Sequence, residues 1–329
     1  MRGTGRIVIA SAVMNGNSSS VTGPPQATPQ ATPQAGELSL QAGYLMIVCV
    51  TIFWATGLVI LRGYHETVPP IGISFWRWAF AAGCLVPIIL PRLRRELPLV
   101  LGHWRYFAVM AFFMIGGSAL SAVALNFTTA VNGTIVTTTQ PAMTAVIAWL
   151  LIGDRLSPVQ MLGFIAAALG IIIIVTRADI GVLLALNFNL GDFLMLGAVV
   201  GYSLYAVRLP RMPRGISLGV AVFTVFVMGF LQLLPLYVAE SFIYMPVPMD
   251  LETGVMLFLL GLVTSTIPVF MWSRAVPVVG VSRSAIFINL VPIFGAILAV
   301  SFLGERLALF HFLGAVLIFA GIVLVVRRP

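Results

Sequence analysis

Charge is what this chain has least of. Only 9% of its 329 residues are charged, 60% are hydrophobic, and the mean hydropathy is +1.07. A soluble domain carries roughly 25% charged residues, so an aqueous globular fold is excluded. Lysine is absent, and all 18 basic residues are arginine. The two cysteines, Cys49 and Cys84, fall inside apolar runs and read as packing residues, which excludes an extracellular disulfide framework. There is no HExxH, no GxSxG and no aspartate pair within an apolar run. Neither a metal centre nor an activated nucleophile can be assembled, so the chain is read as a non-enzyme without cofactor or metal. The ten acids, Glu37, Glu66, Glu96, Asp154, Asp179, Asp192, Glu240, Asp250, Glu252 and Glu305, lie outside the apolar runs or at their ends, as do His65, His103 and His311. A carboxylate deep in the membrane, able to carry a proton and hold an organic cation in turn, is therefore missing.

What is present is apolar sequence in bilayer-sized lengths. Runs at about 43–61, 71–90, 106–124, 130–151 and 159–176, then 191–207, 217–238, 253–271, 284–303 and 309–326, match the roughly 17 to 25 residues of a spanning helix. They lack the period-2 alternation of barrel strands, and a backbone in lipid must satisfy its own hydrogen bonds, so each is read as a helix. The fold class is all-α and integral to the membrane. Residues 1–41 differ, being rich in Pro, Gln, Ser, Thr and Ala with the tandem QATPQATPQA, and are read as a disordered tail. Their short apolar run from Ile7 to Ala10 is shorter than a signal peptide requires.

The arginines set the orientation. With the N-terminus in the cytoplasm, only Arg62, Arg77, Arg177 and Arg306 fall toward the other side, leaving fourteen of the 18 inside. Both termini are therefore placed in the cytoplasm. The pI near 10.3 reports this bias rather than a nucleic-acid partner.

Two stretches of the chain are variants of one another at a constant offset of 151 residues. Pro141 falls on Pro292, Gly153 on Gly304, Asp154 on Glu305, Arg155 on Arg306, Gly163 on Gly314, Gly170 on Gly321 and Arg177 on Arg328. A fixed spacing of this kind marks a duplicated unit. With five spans in each copy, the second must insert upside down, giving two inverted five-helix repeats at 42–177 and 190–328 with a substrate site expected between them.

The mid-span proline, the GDRL or GERL turn twelve residues later and the glycines seven apart in the next helix resemble the second half of an EamA module, the repeat of the drug/metabolite transporter superfamily. The run Trp54-Ala55-Thr56-Gly57, Pro69 and Ser74-Phe75-Trp76-Arg77 resemble the module's opening. The resemblance covers about residues 43 to 328. It implies a ten-helix carrier of the plasma membrane, the inner membrane of a bacterium, that moves small metabolites by alternating access; the substrate is left open. The chain departs from the family in reading WATG at the opening and in carrying Asp154 where glutamate is usual.

Candidate site residues follow from polarity at depth. Pro141 and Pro292 each remove a helix hydrogen bond near mid-span and free a carbonyl that needs a partner or a cavity. Thr137, Thr138, Thr139 and Gln140 precede the first proline and Asn289 precedes the second; they serve either to bind substrate or to join helices. Arg77 lies about 9 Å into its span at 1.5 Å per residue, where an arginine costs at least a few kcal/mol unless paired or hydrated. It either snorkels to the interface or points inward, and inward it favours a carboxylate or phosphate on the substrate. Trp54 and Tyr205 occupy matching places in the two copies, with Trp76, Tyr202 and Trp272 as further aromatics. Gly153, Asp154, Arg155, Gly304, Glu305 and Arg306 are read as hinges that fix helix ends. The partners expected are a small-molecule substrate and the lipid bilayer, with no nucleic acid; the oligomeric state, monomer or homodimer, is left open. The function that follows is export of amino acids or related zwitterionic or anionic metabolites, with uptake of a vitamin or nucleotide derivative as the alternative. A non-transporting scaffold fits less well, because the only long non-membrane stretch is the tail.

Overall fold

The computed structural model describes residues 38–62, 68–128, 130–185, 189–303 and 308–327. Among these there is no strand, and ten helices are long and apolar enough to cross a membrane. They are α1 (Leu40–Arg62), α2 (Pro70–Gly102), α3 (Trp104–Ala124), α4 (in two pieces, Ala130–Thr137 and Gln140–Ile152) and α5 (Pro158–Val175). Then come α6 (Leu190–Arg208), α7 (Leu218–Ile243), α8 (Leu251–Val279), α9 (Val281–Ala285, a 3-10 turn Ile286–Leu290, then Val291–Leu303) and α10 (Leu309–Val326). A five-residue helix, Ile180–Leu184, stands between α5 and α6. The tail to residue 37, Gly304, Glu305, Arg306 and Arg328 lie outside the described residues.

Hydropathy locates the spans but misjudges two lengths; α8, expected to stop near residue 271, runs on to Val279. α2 was expected to stop near residue 90 and runs instead for 33 residues, about 50 Å against a hydrocarbon core of about 30 Å. The excess carries Arg92, Arg94 and Arg95 beyond the lipid, so low hydropathy there marks exposure rather than a helix end. Pro87, Pro91 and Pro98 lie inside the same helix.

Helix ends are held across the bundle by carboxylates. The Glu240 side chain, near the end of α7, accepts from the Ile71 and Gly72 backbone N–H groups at 3.0 and 2.7 Å. Reciprocally, Glu96 of α2 accepts from Ser217 at the start of α7, from its N–H at 2.7 Å and its Oγ at 2.9 Å. Each helix thus caps the other's positive N-terminal end, which fixes α2 and α7 as an antiparallel pair. Losing an acceptor of two such bonds, as in Glu240→Ala, is expected to cost about 2 kcal/mol in a chemical or thermal unfolding measurement. At the start of α8, the Asp250 carboxylate accepts from the Thr253 N–H at 2.7 Å. That bond holds its pKa below the ordinary 3.8. The cap's stability is therefore complete above that value and is lost as pH falls through the lower folded-state value; Asp250→Asn should remove this acid-side slope.

The tightest helix pair is α5 with α10, and glycine makes it possible. A Cβ built on Gly163 would lie 2.7 Å from the Gly321 carbonyl oxygen, and one on Gly170 would lie 2.5 Å from that of Gly314. Rising numbers on one helix meet falling numbers on the other, so the two run antiparallel. Exchanging the copies maps these two contacts onto one another, as a two-fold relation requires.

Local geometry follows the proline chemistry. α4 breaks at Thr138 and Thr139, and α9 tightens to a 3-10 turn just before Pro292. The chain leaves α4 through Gly153 at φ 72°, a left-handed cap that suits glycine. A feature without a sequence signal is a π-helical segment in both α3 (Phe112–Gly116) and α8 (Leu260–Thr266). The first overlaps the second when shifted by the repeat offset. Such segments are rare and concentrate at functional sites.

Candidate functional site

Six candidate substrate residues, Trp54, Arg77, Thr138, Gln140, Tyr205 and Asn289, sit on α1, α2, α4, α6 and α9, and no two of them share a hydrogen bond or ring contact among the described residues. Arg77 points inward. Its Nη2 donates to Ser118 Oγ of α3, and its guanidinium lies over the Trp78 ring, 4.9 Å from the centroid. No carboxylate pairs with it among the described residues, and its Nε is buried without a partner. An unneutralised cation at this depth is costly, which selects the inward reading over a snorkelling one.

Asn289 is 2% exposed, in the 3-10 turn of α9. Its carboxamide has no hydrogen-bond partner among the described residues. The fully buried side-chain atoms without a partner among the described residues are Arg77 Nε, Trp78 Nε1 and Ser265 Oγ, so the Asn289 amide keeps a small accessible face through which a ligand or water can reach it. Gln140, half-buried, makes no side-chain amide hydrogen bond among the described residues. The threonines before Pro141 behave otherwise. Thr137, Thr138 and Thr139 donate back to the carbonyls of Thr134, Ile135 and Val136 at 2.8, 2.7 and 2.7 Å. They stabilise the break in α4 from within and do not join helices.

α6 is the hub of the polar contacts. Tyr205, 6% exposed, has its hydroxyl 3.2 Å from Ser273 Oγ on α8. Ser203 Oγ lies 2.9 Å from Thr144 Oγ1 on α4, which also donates to the Gln140 carbonyl at 2.8 Å. Tyr202 packs against Gly117, the neighbour of the serine that holds Arg77. Trp54 meets Trp272 at 5.5 Å between ring centroids, and Trp272 precedes the Ser273 that holds Tyr205. Sequence reasoning named Trp54 and Tyr205 but missed Ser118, Thr144, Ser203 and Ser273. The available signal was small hydroxyls inside otherwise apolar helices. A small cavity of about 10 Å³ borders Tyr205, Tyr106 and Met110. A larger one of about 130 Å³ lies at the start of α8, between Trp76, Phe80, Met249 and Leu257. Neither contains Thr138, Gln140 or Asn289.

The hinge residues resolve differently. Asp154 accepts from Ser282 Oγ of α9 at 2.8 Å, while Arg155 is exposed. Asp192, placed by sequence at a helix end, is indeed in the first turn of α6 but is 3% exposed. It accepts from Thr128 Oγ1 at 2.5 Å and the Asn189 N–H at 2.8 Å.

Ten membrane helices, with two broken spans carrying unpaired amides at depth, have the build of a membrane carrier. The model of the EamA-like transporter family matches twice, over residues 41–176 and 189–327. The chain belongs to this family, and is an EamA-type transporter of the drug/metabolite transporter superfamily and a multi-pass membrane protein. It is 26% identical to the uncharacterized transporter YyaM of Bacillus subtilis (strain 168), over 87% of this chain and 95% of that one. It is 25% identical to a probable amino-acid metabolite efflux pump of Escherichia coli (strain K12), over 87% of this chain and 94% of that one. A solved crystal structure 17% identical superposes with a TM-score of 0.72, covering 87% of this chain and 96% of its own, which supports the fold.

Proposed function

We propose that this transporter exports amino acids or related small zwitterionic or anionic metabolites across the plasma membrane by alternating access. The carrying observation is Arg77, a cation inside the bundle with no acid to neutralise it among the described residues. A substrate carboxylate supplies the missing charge, in two parallel bonds if it meets the guanidinium fork. Asn289 and Gln140 supply amides for the polar remainder, and Trp54 and Tyr205 contribute aromatic walls. The named function of the Escherichia coli relative agrees with this substrate class.

In this reading the two repeats, 42–177 and 190–328, are inserted in opposite senses, with both chain ends in the cytoplasm. The antiparallel, copy-exchanging contacts of α5 and α10 support that arrangement. Radiolabelled amino-acid flux in everted vesicles and in proteoliposomes tests the proposal. Accumulation in everted vesicles above empty controls is expected; no flux of any amino or carboxylic acid in either preparation overturns it. A second expectation concerns Asn289→Ala. Apparent affinity should weaken by about tenfold, the equivalent of one unmet hydrogen bond of about 1.4 kcal/mol, with little change in melting temperature.

A further inference from the structure

The two broken helices are packed asymmetrically. The second half of α4, Gln140–Ile152, lies against the first part of α9, Val281–Ala285. Pro141, Thr144, Ala145 and Ala148 are buried on one side, and Val281, Ser282, Ser284 and Ala285 on the other. The hydrogen bond from Ser282 to Asp154 closes the end of this contact. The repeat offset defines the equivalent pair as the first half of α4, Ala130–Thr137, and the last part of α9, Val291–Leu303. These two hardly touch. Pro292, Gly295 and Ala296, the equivalents of Pro141, Thr144 and Ala145, are only half-buried.

The sealed end is also the end where the described chain begins and finishes. Gly43 of α1 packs on Val279, two residues before α9 starts. Gln160, just after the Asp154 turn, donates through Nε2 to the Val325 carbonyl at 3.2 Å, near the end of α10. Asn289, unpartnered, stands between the sealed and the loose parts of α9.

We propose that the α4–α9 contact beside Asp154 is the gate on the face carrying the chain ends, that the Asp154–Ser282 hydrogen bond is its latch, and that this structure is the state open to the opposite face. Two copies of one fold that packed identically would open both faces or neither; alternation requires one copy's contact to be tight while its equivalent is loose. Opening the sealed face breaks the Asp154–Ser282 bond and lets Ala130–Thr137 close on Val291–Leu303. With the chain ends in the cytoplasm, the open face is the external one. The inference rests on the alternating-access reading, but its test measures accessibility rather than flux.

The test places single cysteines in a background carrying Cys49→Ser and Cys84→Ser. Ala285→Cys reports the sealed face and Ala296→Cys the open one, each labelled by a membrane-impermeant maleimide in right-side-out and everted vesicles. Ala296→Cys is expected to react from the face opposite the chain ends, and Ala285→Cys to be protected. Adding Ser282→Ala or Asp154→Ala should speed labelling at Ala285→Cys by about tenfold and slow it at Ala296→Cys. Ser282→Thr, which keeps the hydroxyl, should leave both rates as they were. Unchanged rates in Ser282→Ala and Asp154→Ala overturn the latch. Faster labelling at both positions also overturns it, since that is general loosening rather than exchange. Loss of amino-acid flux with the reciprocal labelling intact would leave the gate standing and remove only the substrate assignment.

Discussion

Gly170→Ala, the addition of a single methyl group, is expected to unfold or badly destabilise the transporter. The new Cβ would stand 2.5 Å from the Gly314 carbonyl oxygen and 2.9 Å from the Ile318 side chain, where real contacts essentially never fall below 3.0 Å. Helix propensity alone argues the other way, since alanine is favoured over glycine by up to about 1 kcal/mol. Packing decides the sign. An extra methylene in a tight core costs roughly 1–3 kcal/mol when side chains yield, and here the obstacle is backbone, so the two helices must separate along their length. Gly163→Ala meets the Gly321 carbonyl at 2.7 Å and should behave alike. Gly83→Ala is the control, because nothing lies within 4 Å of its new Cβ. The expected result is a fall of several degrees or more in melting temperature in detergent for Gly170→Ala and Gly163→Ala, with Gly83→Ala unchanged. Equal melting temperatures in all three would refute the close approach of α5 and α10.

Arg77→Met is expected to separate function from stability. It removes the buried, unneutralised guanidinium while keeping an unbranched side chain of similar reach. The lost interactions in the resting protein are one hydrogen bond to Ser118 and the stacking on Trp78. Against these stands relief of the cost of a charge at depth, at least a few kcal/mol on insertion scales, so stability should hold or rise. Transport of a carboxylate substrate should fall by at least tenfold, because the group that recognises it is gone. Arg77→Lys should also lose most transport, since an ammonium cannot present the two-pronged fork. A snorkelling or purely structural arginine gives the opposite pattern, with destabilised protein and residual flux in proportion to what folds. Flux per folded molecule, measured beside the melting temperature, separates the two.

Much of the fold was legible because it depends on local chemistry. A run of apolar residues must leave water wherever its neighbours go, so eight of the ten spans could be bounded from hydropathy to within about five residues at each end. α2 and α8 were the exceptions: the last turns of α2 are exposed and hydropathy does not mark the end of an exposed helix, while Ser273, Arg274 and Pro277 lower the hydropathy of a part of α8 that stays helical. Pro141 and Pro292 announced their breaks, since a missing N–H acts on its own helix, and Gly153 announced its left-handed cap. Within the candidate site the record is mixed. Arg77 and Asn289 were visible as polarity in the wrong solvent. Thr137, Thr138 and Thr139 donate to carbonyls of their own helix, an arrangement their sequence position did not reveal. Ser118, Ser203 and Ser273 matter only because of what faces them.

The sequence by itself determined that this is a doubled membrane chain with ten spans, two of them broken at matched prolines, and one arginine at depth without a neighbouring acid on its own helix. These are properties of transfer from water to lipid and of backbone geometry, which each residue carries wherever it goes. The tertiary structure decided the partners: Glu240 on the start of α2, Ser118 on Arg77, Ser282 on Asp154. It also decided that the second half of α4 is sealed against α9 while the equivalent pair stands apart. The copies differ at that contact, with Ser282 matched to Val131 and Thr144 to Gly295, but those differences take effect only once the helices are packed together. Which copy closes is a small difference in free energy between whole arrangements, not a property of any single residue.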